Sequence, residues 1–227
     1  MDSMIIVGAS GGIGSYLAGW FGKDHHLFLV CHKNQPPAVN ATVIQADIEH
    51  GEFNVDYLAS RFGPRIILVN AAGVSVDGMG HKMSRDDFNH VLAVNLAGVF
   101  NTCRAVLPLM RLRGWGRVIN LSSVVGSMGV PGTSAYAASK AGLAGLTRAL
   151  AVENARKGIT VNALNLGYMG IGMIDTLSEE NRQAAIERVP MGKLGDPANV
   201  AHAISFLIAA DYVTGTTIDI DGGLLST

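Results

Sequence analysis

Short apolar runs alternate with longer segments of helical periodicity along this chain. Seven runs are rich in aliphatic or β-branched residues, and their nearly unbroken apolar character is typical of strands that are covered on both faces. These predicted strands are Met4 to Val7, Leu27 to Cys31, Thr42 to Gln45, Ile66 to Val69, Arg117 to Leu121, Thr160 to Leu164 and Thr217 to Ile220.

Helical patterns separate most of these runs. They cover Ile13 to Phe21, Asp86 to Arg113, Ala135 to Arg156, Glu179 to Arg188 and Ala198 to Ala209. Strand and helix in alternation predict an α/β fold: a doubly wound, mostly parallel seven-stranded sheet with helices on both faces. The segment Lys33 to Asn40 contains Pro36 and Pro37 and is too short for a full crossover helix, so a truncated or absent helix is expected there. We expect one domain over residues 1–227, since a single α/β unit often reaches roughly 200 to 250 residues.

Composition narrows the class of protein. Of the 227 residues 48% are hydrophobic and 15% are charged, and the formal net charge is -1 with no basic block, so nucleic acid and anionic membranes are unlikely partners. Cys31 and Cys103 both lie in apolar segments, which favours a reducing compartment and a cytoplasmic location. No membrane helix and no signal segment are predicted.

A glycine-rich turn joins the first predicted strand to the first helix. Gly8, Gly12 and Gly14 follow GxxxGxG spacing within Gly8-Ala9-Ser10-Gly11-Gly12-Ile13-Gly14. Glycine permits positive φ and lets the backbone approach a pyrophosphate, and the helix start directs N–H groups and a positive dipole end at the same place. The turn therefore predicts a dinucleotide phosphate site. The alternative is a turn that serves only close packing of helix and strand.

A phenol and an ammonium group lie four residues apart in Tyr136-Ala137-Ala138-Ser139-Lys140, about one helical turn. A carbonyl that accepts hydride gathers negative charge on its oxygen and needs a proton donor. A phenol with a pKa of ~10 is a slow donor near neutral pH, and a neighbouring cation lowers that pKa. The pair favours proton transfer, although the same spacing also arises on ordinary helix surfaces.

Polar residues at predicted strand ends extend this candidate site. Ser123 follows one strand, and Asn70-Ala71-Ala72-Gly73 follows another, at the sheet edge where open α/β proteins bind ligands. The Ser123 hydroxyl either bonds a reacting oxygen or, with Ser122, ties down a loop. Asn95 lies inside an apolar helical pattern, where an amide must be bonded, either within the site or as a core amide that bridges backbone groups.

Together these residues resemble the short-chain dehydrogenase/reductase family over essentially the whole chain, most nearly its 3-oxoacyl-acyl-carrier-protein reductases. The resemblance implies a Rossmann fold and an NAD(P)-dependent oxidoreductase that acts on CH–OH or C=O groups. The matching motifs are the GxxxGxG turn, Asp47-Ile48, Asn70 to Gly73, Asn95, Ser123, Tyr136 with Lys140, Val213-Thr214-Gly215 and Asp221-Gly222-Gly223.

The resemblance also implies roles for single residues. Tyr136 would be the general acid or base, and Lys140 would lower its pKa and hold the nicotinamide ribose. Ser123 would orient the carbonyl, and Asn95 would support a water that leads protons to Lys140. Besides Tyr136 and Lys140, the predicted cofactor contacts are Gly8, Ser10, Gly11, Gly12, Ile13, Gly14, His32, Lys33, Asp47, Ile48, Asn70, Ala71, Gly73, Gly167 and Met169. No metal ligands are predicted.

The residues after the second strand favour NADP(H) over NAD(H). An NAD site usually places a carboxylate there, whereas a 2′-phosphate requires a cation. The sequence is Cys31-His32-Lys33-Asn34, so Lys33, helped by His32, favours NADPH; the alternative is a solvated loop lysine. Gly11 argues the other way, because NADP-using relatives commonly carry a basic residue before the second glycine of the motif.

Four positions depart from the family's pattern: Val7, Ala71, Leu166 and Ile171 stand where it usually has Thr, Asn, Pro and Thr. The last two predict a looser nicotinamide side of the pocket. Gly167, Gly170 and Gly172 predict a mobile lid over about Met169 to Leu177.

Substrate and assembly leave more alternatives open. Candidate substrate-facing residues, which otherwise only pack the lid, are Met128, Val130, Thr133, Tyr168, Met173 and Ile174. A basic set that meets an acidic acyl carrier protein, or is simply a solvated face, is Arg111, Arg113, Arg156 and Lys157. The helix Ala135 to Arg156 has small or apolar residues on more than one side, which predicts contact with a second subunit. The resemblance to the family implies that the assembly is a homotetramer.

The expected function is NADPH-dependent reduction of a carbonyl, most nearly that of a 3-oxoacyl thioester in fatty acid or polyketide biosynthesis. The first alternative is a reductase or dehydrogenase of another ketone, polyol or cyclic alcohol. The second is a non-catalytic nucleotide-sensing protein on the same fold. A sensor would retain the glycine turn and lose the proton-transfer residues, all of which are present here.

Overall fold

All seven predicted strands form one sheet. The computed structural model describes residues 1–37, 39–51 and 53–226. The strands are β1 (Ser3–Val7), β2 (His26–Cys31), β3 (Ala41–Gln45), β4 (Ile66–Asn70), β5 (Gly116–Ser123), β6 (Ile159–Leu166) and β7 (Thr217–Ile220). Their order is β3-β2-β1-β4-β5-β6-β7, and every neighbouring pair is parallel. The predicted α/β, doubly wound Rossmann fold is confirmed, and the sheet is parallel throughout.

Helices cover both faces of this sheet. They are α1 (Gly12–Phe21), α2 (Arg85–Leu92), α3 (Gly98–Arg113), α4 (Ser134–Asn154), α5 (Glu179–Arg188) and α6 (Pro197–Ala209). The buried residues of α1 and α6 belong to one apolar cluster, and those of α3 and α4 belong to the other. The sheet therefore separates two cores, and β1 and β4, which are covered on both faces, have one polar residue each.

The central strands show how the pattern produces this layering. In β1 the side chains of Met4 and Ile6 pack on the α1 and α6 side, while Ile5 and Val7 pack on the α3 and α4 side. Successive strand residues point to opposite faces, so a strand that is covered twice must be apolar at every position.

The long helix predicted over Asp86 to Arg113 is interrupted. A π-helical turn, Ala93–Ala97, separates α2 from α3 and contains Asn95. By length and composition alone the helical stretch Arg85–Arg113 could cross a membrane: an 18-residue window within it has a mean hydropathy of 1.4. In the folded protein 44% of that window is buried. Because α3 packs on β4 and β5, it has the position of a core helix.

The connection between β2 and β3 agrees with the sequence prediction, whereas the connection between β3 and β4 contains an element that was not predicted. Between β2 and β3 the described residues, 32–37 and 39–40, contain no helix, as the prolines predicted; Ala38 lies outside the described residues. Between β3 and β4 a 3₁₀ helix, Asp56–Arg61, was not predicted. Its signal was the apolar spacing of Val55, Leu58 and Phe62, which are all buried.

Candidate active site

The glycine turn packs directly against the segment that follows β4. Gly8 has a φ of 81°, in the region that favours glycine. A Cβ atom on Gly8 would lie 2.6 Å from the backbone of Ala72. Side chains are excluded here, so the backbones of the two strand ends form one continuous floor.

The start of α1 is an open anion site above this floor. Gly11 caps the helix without a side-chain hydrogen bond, and the first turn contains no acidic residue. The first N–H groups of a helix have no partner within the helix, and the dipole adds positive potential there. The arrangement fits a pyrophosphate, which is the cofactor group that the sequence predicted for this turn.

A cavity of about 460 Å³ extends from this helix start across the carboxyl ends of β4, β5 and β6. Parallel sheets bind ligands at this edge, near the point where the strand order reverses. Its lining is Gly11, Gly12, Ile13, Gly14, Ala71, Ala72, Gly73, Leu121, Ser122, Ser123, Val125, Tyr136, Lys140, Leu166, Gly167, Tyr168, Met169, Ile171, Gly172, Met173, Ile174, Thr176 and Leu177. The structure thus brings the predicted glycine turn, the lid and three of the four predicted catalytic residues, Ser123, Tyr136 and Lys140, to one cavity; Asn95 does not line it.

Tyr136 lies in the first turn of α4, and Lys140 follows one turn later. The Nζ atom of Lys140 lies 5.6 Å from the centroid of the Tyr136 ring, and it donates a hydrogen bond of 2.8 Å to the carbonyl of Leu121. Only 5% of Lys140 is exposed, and burial lowers the pKa of its ammonium to about 8. Lys140 is therefore held under the ring and still charged at neutral pH.

The surroundings of the phenol affect its own pKa. Burial raises the pKa of Tyr136 above its ordinary value, and a hydrogen bond with Ser123 opposes that shift. Desolvation of the phenolate is the larger of these two effects, so burial favours the protonated phenol. The lowering expected from Lys140 together with a nicotinamide cation stays a prediction.

Two neighbouring serines have different positions. Ser123 is the last residue of β5, and its hydroxyl accepts a 3.2 Å hydrogen bond from the Val125 N–H while it partners the phenol. The hydroxyl of Ser122 donates to the carbonyl of Lys140 over 3.1 Å. Ser122 therefore ties β5 to α4, as its structural interpretation predicted, and Ser123 faces the cavity.

Asn95 is fully buried beside this group. Its amide donates to the carbonyl of Val74 over 2.8 Å and to the Ser139 hydroxyl over 3.1 Å, and its oxygen accepts the Val74 N–H over 2.8 Å. The interpretation of a core amide that bridges backbone groups is confirmed. The same contacts also fix the loop at Gly73, where a Cβ atom would lie 3.5 Å from Lys140 Nζ.

Asn70 and Ile48 do not line the cavity, although both were predicted to contact the cofactor. The Asn70 amide donates to Asn120 over 2.9 Å, and its oxygen accepts from Thr102 over 2.7 Å. Asn70 belongs to a buried polar network that also includes Thr147, and sequence reasoning missed this network. An Asn inside the apolar β5 run was the available signal. Ile48 is buried in the core, 2.9 Å from where a Cβ of Gly98 would be.

His32, Lys33 and Asp47 lie outside this cavity, at the carboxyl ends of β2 and β3. His32 and Lys33 are exposed, and the Nε2 atom of His32 lies 3.5 Å from Asp47 Oδ2. Gly8 and Ser10 lie in the turn itself, without lining the cavity. The predicted cofactor contacts therefore divide between this cavity and an exposed edge of the sheet.

The predicted lid lies against the glycine turn. Within it a 3₁₀ helix covers Met173–Thr176, and a Cβ atom on Gly12 would lie 2.7 Å from the Gly172 Cα. Leu166 and Ile171, the two departures from the family's pattern, both line the cavity.

The six predicted substrate-facing residues divide into two groups. Tyr168, Met173 and Ile174 line the cavity, whereas Met128, Val130 and Thr133 do not. Met128 packs in a small cluster with Val124, Val189 and Leu224 that also includes the cavity residues Val125 and Tyr168. The hydroxyl of Thr133 bonds the Val130 carbonyl. Contact of this second group with a substrate stays a prediction.

The predicted basic set lies at the opposite end of the sheet from the cavity. Arg111 donates to the carbonyl of Glu153 and to the Asn154 side chain, and Arg113 donates to the carbonyls of Ala59 and Phe62. Both arginines thus hydrogen-bond backbone carbonyls near helix ends of their own chain. Within one protomer they do not border the pocket mouth.

A parallel sheet with a phosphate-binding turn and a Ser-Tyr-Lys group at its carboxyl edge defines a nicotinamide-dependent oxidoreductase. The sequence profile described as enoyl-(acyl carrier protein) reductase matches residues 32–225. The chain belongs to the short-chain dehydrogenase/reductase family, as the sequence predicted, and is an oxidoreductase of CH–OH and C=O groups.

Two relatives are similar in sequence to this protein over nearly its whole length. Nodulation protein G of Azospirillum brasilense is 39% identical, with 97% of this chain and 96% of the relative covered. The 3-oxoacyl-acyl-carrier-protein reductase FabG of Rickettsia typhi is 36% identical, with 97% and 95% covered.

Solved structures agree with this family. A variant of the actinorhodin polyketide ketoreductase with NADPH superposes with a TM-score of 0.89 at 32% identity, and 98% of this chain and 97% of that chain are covered. A putative 2-deoxy-d-gluconate 3-dehydrogenase from Agrobacterium tumefaciens with bound NADP has a TM-score of 0.86 at 31% identity, with 100% and 97% covered. Nicotinamide cofactors therefore accompany this fold.

Proposed function

We propose that this protein uses NADPH to reduce the carbonyl of a 3-oxoacyl thioester to the alcohol. The observation that supports this most is the charged, buried Lys140 beneath the ring of Tyr136, in an apolar cavity that ends at the open start of α1. The anion site would hold the dinucleotide, and the proton donor would face the substrate carbonyl elsewhere in the same cavity.

A bound dinucleotide supplies hydride from its nicotinamide ring. As the substrate oxygen gains charge, the O–H of Tyr136 donates its proton to it, and the O–H of Ser123 donates a hydrogen bond to the same oxygen. A phenol that burial keeps protonated suits this direction of reaction. The Lys140 ammonium stabilises the phenolate that remains, since an opposite charge favours the ionised form.

Asn95 acts as a positioning residue for the return of that proton. Its two bonds to Val74 hold the loop beside Lys140 Nζ, and its bond to Ser139 holds α4. A water next to Lys140 would carry protons inward, and Asn95 would fix the loop that shapes its place. The π-helical turn that contains Asn95 is a distortion often found at functional sites.

NADPH is the proposed cofactor because His32 and Lys33 follow β2 where an NAD site usually has a carboxylate. The two solved relatives were determined with NADPH and with bound NADP. Asp47, at the end of β3, lies beside His32 and would contact the adenine half.

An acyl chain fits the lid side of the cavity, where Tyr168, Met173 and Ile174 add apolar surface. The names of two relatives support acyl and polyketide carbonyls, and an acyl carrier protein is then the expected carrier. A sugar-derived ketone is the second candidate, because the relative from Agrobacterium is named for a gluconate substrate. A cytoplasmic location accompanies this role.

Assembly as a homotetramer is part of the proposal. The outward face of α4 has small or apolar residues that are exposed in the single chain: Ala138, Ala141, Gly145, Ala149 and Val152. On α3, Phe100 and Leu112 are also exposed, by 44% and 87%. Exposed apolar surface of this kind marks subunit contacts, and in an antiparallel helix pair the basic set of one protomer would approach the pocket end of its partner.

The test is oxidation of NADPH and NADH across three panels of substrates: 3-oxoacyl thioesters, simple ketones and sugar ketones. We expect the highest kcat/KM with a 3-oxoacyl thioester and NADPH. A sugar ketone with the highest kcat/KM would replace the substrate assignment, and higher kcat/KM with NADH would refute the role of Lys33. No turnover in any panel, with tight cofactor binding, would favour the sensor.

A further inference from the structure

A second group of ionisable side chains lies outside the catalytic cavity, at the carboxyl ends of β2 and β3. The histidine cluster consists of Asp47 and Glu49 with His32, His50 and His90. Three of the seven histidines in the chain meet two carboxylates here. The catalytic mechanism uses neither His50, His90 nor Glu49.

The ligand atoms of Asp47, Glu49 and His50 are close enough to one another to share a metal ion. Asp47 Oδ2 lies 3.0 Å from His50 Nδ1 and 3.5 Å from His32 Nε2. Ligand atoms at 2.0–2.1 Å from a tetrahedral Zn²⁺ are about 3.3–3.4 Å apart. The ligand atoms of Asp47, Glu49 and His50 all lie within 4.8 Å of one another, so Glu49 is near enough to contribute.

The local backbone explains why these groups converge. The Oδ1 atom of Asp47 accepts the Glu49 N–H over 2.9 Å, which closes a turn after β3 and leaves Oδ2 facing the imidazoles. Glu49 is held in turn by His90 of α2, whose Nδ1 lies 3.0 Å from Oε1. A hydrogen-bonded carboxylate beside a ligand set is the arrangement that surrounds natural metal sites.

Exposure allows an ion to enter. The Asp47 and Glu49 side chains are 19% and 23% exposed, whereas those of His32 and His50 are 55% and 67% exposed. Neutral imidazoles select Zn²⁺, Ni²⁺ or Cu²⁺ over Mg²⁺ and Ca²⁺, which prefer oxygen ligands.

We propose that Asp47, Glu49 and His50, with His32 or water in the fourth position, bind a divalent transition metal of the Zn²⁺ class. Binding would occupy the Asp47 carboxylate, which also lies 3.5 Å from His32 Nε2. Since the proposed function assigns those two residues to the adenosine half of NADPH, the further consequence, which rests on that function, is that the metal and the cofactor exclude each other.

The metal site is tested without cofactor and without turnover. Zn²⁺ titrated into the full chain in a calorimeter should bind with one equivalent, and Co²⁺ should give the visible absorption of a tetrahedral site. His50→Ala should weaken Zn²⁺ binding by roughly tenfold or more. His81→Ala removes another exposed histidine, outside the cluster, and should leave binding unchanged. No saturable uptake at 100 μM Zn²⁺, or equal uptake by His50→Ala, would overturn the metal site.

The shared use of His32 and Asp47 has its own readout. Zn²⁺ should raise the KM for NADPH of the wild-type protein while kcat stays constant, and His50→Ala should lose that effect. Uptake of Zn²⁺ with an unchanged KM would overturn the exclusion and leave the metal site standing. A failure of the proposed function is distinguishable, because Zn²⁺ binding is measured without turnover. Tyr136→Phe, which removes the proposed proton donor, should bind Zn²⁺ as the wild-type protein does.

Discussion

The two ends of the predicted cofactor site are built differently. At the catalytic end, Lys140 is 5% exposed and Asn95 is fully buried, and each has short hydrogen bonds to backbone carbonyls. At the adenosine end, the His32 and His50 side chains are 55% and 67% exposed, and both contact Asp47 at the solvent-exposed surface. The catalytic residues are buried and held by hydrogen bonds, whereas the side chains at the adenosine end are exposed to solvent.

This difference indicates how each end works. Desolvation at the catalytic end raises the pKa of Tyr136 and lowers that of Lys140, so its groups are tuned for chemistry at the expense of stability. At the adenosine end charges are screened by solvent, so they select among cofactors while contributing little to the fold.

The largest expected effect comes from Lys140→Met. Turnover should fall by on the order of 10²–10⁴, because the phenolate loses its counter-charge. Stability at pH 7 should rise by roughly 1–3 kcal/mol, because a buried ammonium is no longer desolvated. Urea denaturation and kcat on the same preparations measure both.

The direction in which stability changes with pH follows from the same residue, Lys140. The pKa of Lys140 is lowered from 10.5 to about 8 in the folded protein, so between these values the unfolded chain binds more protons. Stability of the wild-type protein should therefore gain a contribution as pH rises from about 8 to 10.5 that Lys140→Met lacks. If Lys140→Met is less stable than wild type at pH 7, burial of the Lys140 ammonium does not lower the stability of the folded protein.

An intermediate effect is expected for Gly12→Ala, with Gly19→Ala as the matched control in the same helix. A Cβ on Gly12 would lie 2.7 Å from the Gly172 Cα, whereas one on Gly19 would have no atom within 4 Å. Gly12→Ala should push the lid off the phosphate turn and weaken NADPH binding at least tenfold, about 1.4 kcal/mol. Gly19→Ala should retain affinity and add up to about 1 kcal/mol of stability. Equal NADPH affinities in a fluorescence titration would contradict the close contact of lid and turn.

The smallest effect is expected at the adenosine end. Lys33→Ala should reduce the ratio of kcat/KM for NADPH over NADH by about tenfold at low salt, and less at high salt because exposed charges are screened. Lys23→Ala, an exposed lysine beyond α1, is the control and should leave the ratio unchanged. A ratio that Lys33→Ala does not alter would move the choice of cofactor to other residues.

The fold was largely predictable because its strands are covered twice. Unbroken apolar runs located all seven strands, although β5 and β6 extend two residues further, to Ser123 and Leu166. The π-helical turn at Ala93–Ala97 could not be predicted, because apolar periodicity continues through it.

The site was predictable where backbone geometry fixes it, as in the glycine turn and the spacing of Tyr136 and Lys140. Prediction was less precise after the 3₁₀ turn Val124–Gly126, because a turn sets side-chain direction: Met128 and Thr133 follow it and do not line the cavity. The sequence could not indicate that burial raises the pKa of Tyr136, because burial depends on tertiary packing. Tetramer assembly and the choice of substrate stay predictions.

The central claim is that Tyr136 donates the proton within an already assembled cavity. The most direct measurement is Tyr136→Phe, with NADPH affinity and turnover of the best substrate determined on one preparation. We predict an NADPH Kd within about threefold of wild type and a kcat lower by at least about 10². A kcat within a few-fold of wild type would contradict the claim.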